Sequence, residues 1–143
     1  MSNFIICLKH GNKYGPNYVN TLEQMVRRNC TLPFEFICYT EDTTGLNNSI
    51  RTMDLTGAYG VQGWWHKPLL FNPNNPIGAP GDTILYMDLD VIVFRNIDKL
   101  FSFKEGKFCV IRDFNRSANP QWKKFNSSVV RWQIGQHPQI YND

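Results

Sequence analysis

Short apolar runs alternate along the chain with amphipathic and polar stretches, and their lengths set the order of the elements. Asn3 to Leu8 is continuous and apolar, the signature of a short buried strand. It closes on Lys9-His10-Gly11-Asn12-Lys13-Tyr14-Gly15-Pro16, a polar loop whose proline suits the first turn of a helix. Val19, Leu22, Met25 and Val26 then fall on one helical face, predicting a helix that runs to about Asn29. Leu32-Pro33 leads into a second apolar run, Phe34 to Tyr39, which ends in Thr40-Glu41-Asp42. Strand, helix, strand is a βαβ unit, and its crossover predicts a parallel pair.

Asp42 to Ser49 is a polar loop, and Ile50 to Leu55 predicts a third, shorter strand. Tyr59 to Phe71, with Trp64-Trp65-His66-Lys67-Pro68, reads as a short helix or two interrupted at the proline. Asn72 to Gly81 is loop, dense in proline, asparagine and glycine. Thr83 to Met87 has the content of a strand buried on both faces. Ile97 to Phe101 predicts a helical turn, Lys107 to Ile111 a strand, Ser117 to Lys124 a polar connector, and Phe125 to Trp132 a strand or its beginning. The expected class is α/β: a Rossmann-like, mostly parallel sheet with helices on both faces, in one domain over residues 1–143. In such sheets ligands bind beyond the carboxyl ends of the strands. Lys9, Thr40-Glu41-Asp42, Asp88-Leu89-Asp90 and Asp113 all fall at such ends, so the polar residues are expected on one rim.

Composition narrows the partners. The chain is 42% hydrophobic and 19% charged, ordinary values for a soluble globular protein, while its 14% aromatic content favours planar or sugar-like ligands. A formal net charge of +3 is too small and too dispersed to argue for nucleic acid. Cys7, Cys30, Cys38 and Cys109 show no CxxC spacing, and they read as reduced thiols of a cytoplasmic protein. Phe4 to Leu8 is too short for a signal peptide, and no stretch has the length and apolarity to span a bilayer.

The chemistry concentrates in Thr83-Ile-Leu-Tyr-Met-Asp88-Leu89-Asp90-Val-Ile-Val-Phe94. An uncharged apolar strand delivers two carboxylates two positions apart. In an extended chain these point the same way. Like charges beside a hydrophobic strand are costly unless a cation or a protonation event relieves them, and a hard divalent metal would do so. A lone D-x-D is also compatible with a solvated exit from a strand into a turn.

The stretch Leu85-Tyr86-Met87-Asp88-Leu89-Asp90-Val91-Ile92-Val93 resembles the LYLDxDxxV segment of the glycogenin-like glycosyltransferases, family eight of the sugar transferases, which have the GT-A fold. Arg95-Asn96-Ile97-Asp98-Lys99-Leu100-Phe101 is similar to that family's xxLxxLF continuation. Phe125-Asn126-Ser127-Ser128-Val129-Val130 resembles its FNxGVxL segment, with Ser128 where glycine is usual. The likeness runs in outline from Phe4 to about Trp132 and is specific from about Thr83 to Val130.

The resemblance implies transfer of a sugar from a nucleotide-diphosphate donor, a UDP-sugar by analogy, to a glycan, lipid or protein acceptor. Mn²⁺ or Mg²⁺ held by Asp88 and Asp90 would clamp the departing diphosphate. It implies donor contacts from Lys9 and from Asp88, Leu89 and Asp90. Lys67 would lie near the diphosphate, or be a surface lysine with its stem on Trp64 or Trp65. Asp113 would accept sugar hydroxyls, or cap a turn; Asn126 would contact a sugar, or belong to an ordinary turn. Tyr14 is a candidate to stack on the base and Asp42, or Glu41, to accept its N–H. His10, His66 and His137 carry no assigned role, although members of the family supply a metal-ligating histidine from further along the chain. Those members continue well past the Asn126 segment, whereas this chain stops at Asp143, so the acceptor part is expected to be short or missing. Two rival readings are a donor-binding domain without turnover and a haloacid-dehalogenase-like phosphatase, which also places D-x-D after a buried strand. The second rival carries the motif early, as DxDGT, and here Val91-Ile92 replaces Gly-Thr.

Overall fold

The computed structural model describes residues 2–55, 70, 77–112 and 125–137. In chain order the elements are β1 (Asn3–Lys9), α1 (Pro16–Asn29), β2 (Glu35–Thr40), β3 (Arg51–Asp54), β4 (Thr83–Met87), α2 (Asp98–Ser102), β5 (Cys109–Arg112) and β6 (Phe125–Gln133). The strands form one six-stranded sheet in the order β3-β2-β1-β4-β6-β5. β1 pairs in parallel with β2 and β4, and β2 with β3, while β6 lies antiparallel between β4 and β5. The expected mostly parallel α/β sheet is present, with β6 running against its neighbours.

Strand alternation divides the core into two layers. Ile5 and Cys7 of β1, Phe36 and Cys38 of β2, and Leu85 and Met87 of β4 pack with Val19, Leu22 and Val26 of α1. Phe4, Ile6, Ile37, Ile84 and Tyr86 face the other way, against Val130, Trp132 and Ile134. Both faces of the central strands are covered, which is why their sequences read as unbroken apolar runs. Each fully buried aliphatic side chain contributes about 1.5–3 kcal/mol, so this double layer is the main source of stability.

α1 begins at Pro16, where a missing N–H costs nothing, and ends with Arg27 and Arg28 beside its exposed carbonyls. One buried position on the helix is charged. Glu23 is 2% exposed and accepts from Arg27, Asn47 and Ser49, at 3.0–3.3 Å from the first two and 2.6 Å from the hydroxyl. These bonds hold the loop between β2 and β3 against the helix. Gly45, at φ +82°, lets that loop pass over the Pro16 ring; a Cβ there would lie 2.9 Å from Pro16 Cγ.

Arg131 of β6, 3% exposed, is another buried charged group. Its guanidinium donates to the carbonyls of Leu100, Phe101, Lys104 and Lys107 at 2.7–3.2 Å and to Cys109 Sγ at 3.0 Å. α2 has only five residues, and this arginine satisfies the carbonyls that so short a helix leaves open. Among the described residues no helix is long and apolar enough to cross a membrane.

Candidate functional site

The carboxyl ends of β1, β2, β3 and β4 share one rim, and the direction of β6 brings its beginning there too. Met87 pairs with Val129, and the Asp88 N–H donates to Ser128 O at 2.8 Å just beyond the last rung. On the other side of β6, Val110 pairs with Val130 but Ile111 pairs with Asn126. One step on β5 therefore spans four on β6, a register shift between Val110 and Ile111. A bulge of this kind at a sheet rim re-aims the chain. Asn126 pairs through its backbone with Ile111 beyond this shift.

The extended geometry expected for Asp88 and Asp90 does not extend past Met87, where β4 ends. The Val91 N–H donates to Asp88 O at 3.2 Å, closing a four-residue turn. Leu89, 6% exposed, anchors the turn in the core layer on the α1 side, together with Val93. A turn with its middle residue buried holds the two carboxylates up at the rim without needing strand alternation to aim them. The two aspartates are held differently. Asp88 is half-buried, and its Oδ1 accepts a 2.5 Å hydrogen bond from the Tyr86 hydroxyl. Asp90 is exposed and makes no hydrogen bond or ion pair within the described residues. Burial, and then the charge of Asp88 and the hydrogen bond to it, push the Tyr86 phenol far above its usual range.

Lys9 closes β1 opposite Thr40 and is 5% exposed. No hydrogen bond or ion pair within the described residues holds its ammonium. Its nearest listener is Asp42, whose carboxyl is held below the usual range by the Thr44 hydroxyl and N–H and, more weakly, by the Lys9 charge. Burial works against ionisation of Glu41, but its own N–H, that of Gly11 and the His10 ring outweigh it and leave the carboxyl below its usual value. The Gly11 N–H lies 2.7 Å from Oε1 and His10 Nδ1 3.4 Å from Oε2, so Glu41 ties the loop after β1 to the end of β2. Tyr14 packs edge-on against Tyr18 with centroids 4.7 Å apart, and Lys13 lies 5.3 Å from its ring centre.

A cavity of about 430 Å³ opens at the ends of β2 and β3, lined by Thr40, Glu41, Asp42, Thr43, Thr52, Met53 and Asp54. Asp54, from the third strand, was not marked by any motif; its place at a strand end on the shared rim was the only signal. Lys67 and Asp113 lie outside the described residues. His137 packs its ring against Phe108, centroids 5.1 Å apart. Among the described residues no three His, Cys, Asp or Glu side chains come together as a metal cage. Two carboxylates at a rim nevertheless suit a cation such as Mg²⁺ or Mn²⁺, which completes its shell with waters and substrate phosphates.

No family model matches the chain, and no curated protein matches it in sequence. Solved structures do. The crystal structure of the galactosyltransferase LgtC in complex with donor and acceptor sugar analogs aligns over 97% of this chain, at 14% identity and TM-score 0.62. An active-site mutant of LgtC aligns over 95% of the chain, at 13% identity and TM-score 0.63. The match spans 61% and 59% of those chains. At such identity the likeness concerns architecture: this chain has the GT-A fold seen in LgtC.

Proposed function

We propose that this protein transfers a sugar from a nucleotide-diphosphate donor, a UDP-sugar, to an acceptor hydroxyl, using a divalent cation held by Asp88 and Asp90. The observation that supports the reading is the D-x-D turn at the carboxyl end of β4, beside the beginning of β6, in a fold like that of LgtC. Bound there, Mn²⁺ or Mg²⁺ would neutralise the negative charge that grows on the diphosphate as the glycosidic bond breaks.

The chain's own groups have complementary tasks. Asp88 and Asp90 present carboxylate oxygens to the cation. Lys9, desolvated and without a partner among the described residues, supplies positive charge at the same rim, suited to a phosphate oxygen. The cavity at the ends of β2 and β3 offers the carboxylates of Asp42 and Asp54 to the N–H and hydroxyl groups of the nucleoside, and Tyr14 is assigned to stack on the base. Lys67, Asp113 and Asn126 are assigned to the diphosphate and the transferred sugar on the sequence resemblance.

Titrating UDP-sugars with and without Mn²⁺, on the protein and on Asp90→Ala, tests this. Metal-dependent nucleotide binding lost in the variant, together with donor hydrolysis or transfer, is the expected result. Metal-dependent binding without turnover would leave a donor-binding domain. Nucleotide binding indifferent to metal and to Asp90→Ala would overturn the assignment, and phosphate release from a simple phosphomonoester would replace it with the phosphatase.

A further inference from the structure

We infer that Tyr86 is a positioning residue for the cation site, setting Asp88 as a pre-formed ligand while Asp90 is the ligand that adapts. The inference rests on the metal-binding reading of the D-x-D turn. Tyr86 is the next-to-last residue of β4, which ends at Met87, one residue short of Asp88. The Tyr86 ring is 3% exposed, packed in the layer with Ile6, Ile84, Val130 and Trp132, so its hydroxyl has a fixed position. That hydroxyl donates to Asp88 Oδ1 at 2.5 Å.

The main chain of Asp88 is fixed as well, its N–H on Ser128 O and its carbonyl on the Val91 N–H. Three bonds from three different parts of the chain therefore set one carboxylate before any cation arrives. Asp90, two residues on, is exposed and has no such bonds among the described residues. In this pair the Tyr86 hydroxyl is the donor and the carboxylate the acceptor. The hydroxyl takes up one lone pair of Oδ1, which disfavours bidentate wrapping of the cation and orients the carboxylate. Outer partners of this kind govern metal affinity by fixing the ligand's geometry, and their loss typically weakens binding by roughly 10- to 100-fold.

The experiment reads Mn²⁺ alone, without nucleotide, from the electron paramagnetic resonance signal of the free ion over the full chain. Tyr86→Phe removes one oxygen and keeps the ring, and its dissociation constant for Mn²⁺ is expected to rise roughly 10- to 100-fold. Ile84→Val lightens the same core layer on the same strand and is expected to change melting temperature but not Mn²⁺ affinity. Unchanged affinity in Tyr86→Phe, or an equal loss in Ile84→Val, would overturn the inference while Asp88→Asn still abolished binding. If the unaltered protein bound no Mn²⁺, or if Asp88→Asn and Asp90→Asn bound it normally, the metal reading itself would fall. A second measurement needs no substitution at Tyr86. Mg²⁺ should shift the tyrosine absorption band of the protein and not that of Asp88→Asn, and no shift in either would count against the role of Tyr86.

Discussion

Ser49 Oγ donates a 2.6 Å hydrogen bond to Glu23 Oε2, tying the loop after β2 to the buried face of α1. Arg27 and Asn47 share the same carboxylate. Glu23→Ala strips the acceptor from all three. Urea unfolding is expected to show a loss of roughly 2–4 kcal/mol, from buried donors left unpaired. Because that loop leads from Asp42 toward β3, the variant should also loosen the cavity there, read as faster amide exchange over residues 43–50.

Arg131→Met keeps an unbranched apolar stem and removes the guanidinium from the carbonyls of Leu100, Phe101, Lys104 and Lys107, of which Lys104 O keeps the Lys107 N–H. A buried cation is expensive in itself, so part of the loss is recovered. The unpaired carbonyls decide the sign. A net destabilisation of about 2 kcal/mol is expected, with exchange rising in α2 and the turn after it. An unfolding midpoint equal to that of the unaltered protein would count against this account of α2.

Lys9→Met separates stability from binding. An ammonium that is 5% exposed and has no partner among the described residues weakens the free protein. Removing it should raise the melting temperature. If the ammonium receives a donor phosphate, the same change should weaken UDP-sugar binding by on the order of 10-fold or more, the worth of a charge-assisted hydrogen bond. Such opposed effects are usual where a binding group is held at a cost to the fold. Calorimetric melting with and without ligand would show both.

Acid should act through two structural aspartates. Asp82 accepts from the N–H groups of Ala79 and Ser2, and Asp98 from the hydroxyl and N–H of Thr31. Both carboxyls are held below their usual value, chiefly by the Ala79 N–H and the Thr31 hydroxyl respectively. A folded-state pKa below the unfolded one adds stability above the unfolded value, about 3.9 for aspartate. That stability is lost as pH falls from there through the folded value. Unfolding free energy should therefore drop on acidification below about pH 4, and less steeply in Asp82→Asn.

Much of the architecture was legible because it is local. β1, α1, β2 and β4 are set by runs and periods of the chain itself, and their expected bounds differ from the observed ones by a residue or so. The D-x-D segment was legible as a pair of carboxylates after an apolar strand. Its geometry was not. Leu89 reads as one more apolar residue in a row, and only the packed core shows it turning the chain. Glu23 and Arg131 were missed for a related reason. A charged residue on an amphipathic helix or strand is ordinarily the solvent side, and only distant carbonyls and hydroxyls, or a neighbouring guanidinium, make burial tolerable. The place of β6 was also invisible to local pattern, since nothing in Phe125 to Gln133 states that it lies between two strands that precede it.

That insertion has a consequence for how the protein folds. β5 is made before β6 but has no place in the sheet until β6 has joined β4, because β6 is its neighbour there. The βαβ unit over the first forty residues can form from contacts close in sequence, and β4 adds to its edge. The rim around Asp88 must wait for a pairing some forty residues away, between Met87 and Val129. Pairings of long sequence separation form slowly because the loop must be closed before they are made. Refolding should therefore pass from a sheet of four parallel strands to the full six, and the surroundings of the D-x-D turn should be completed last.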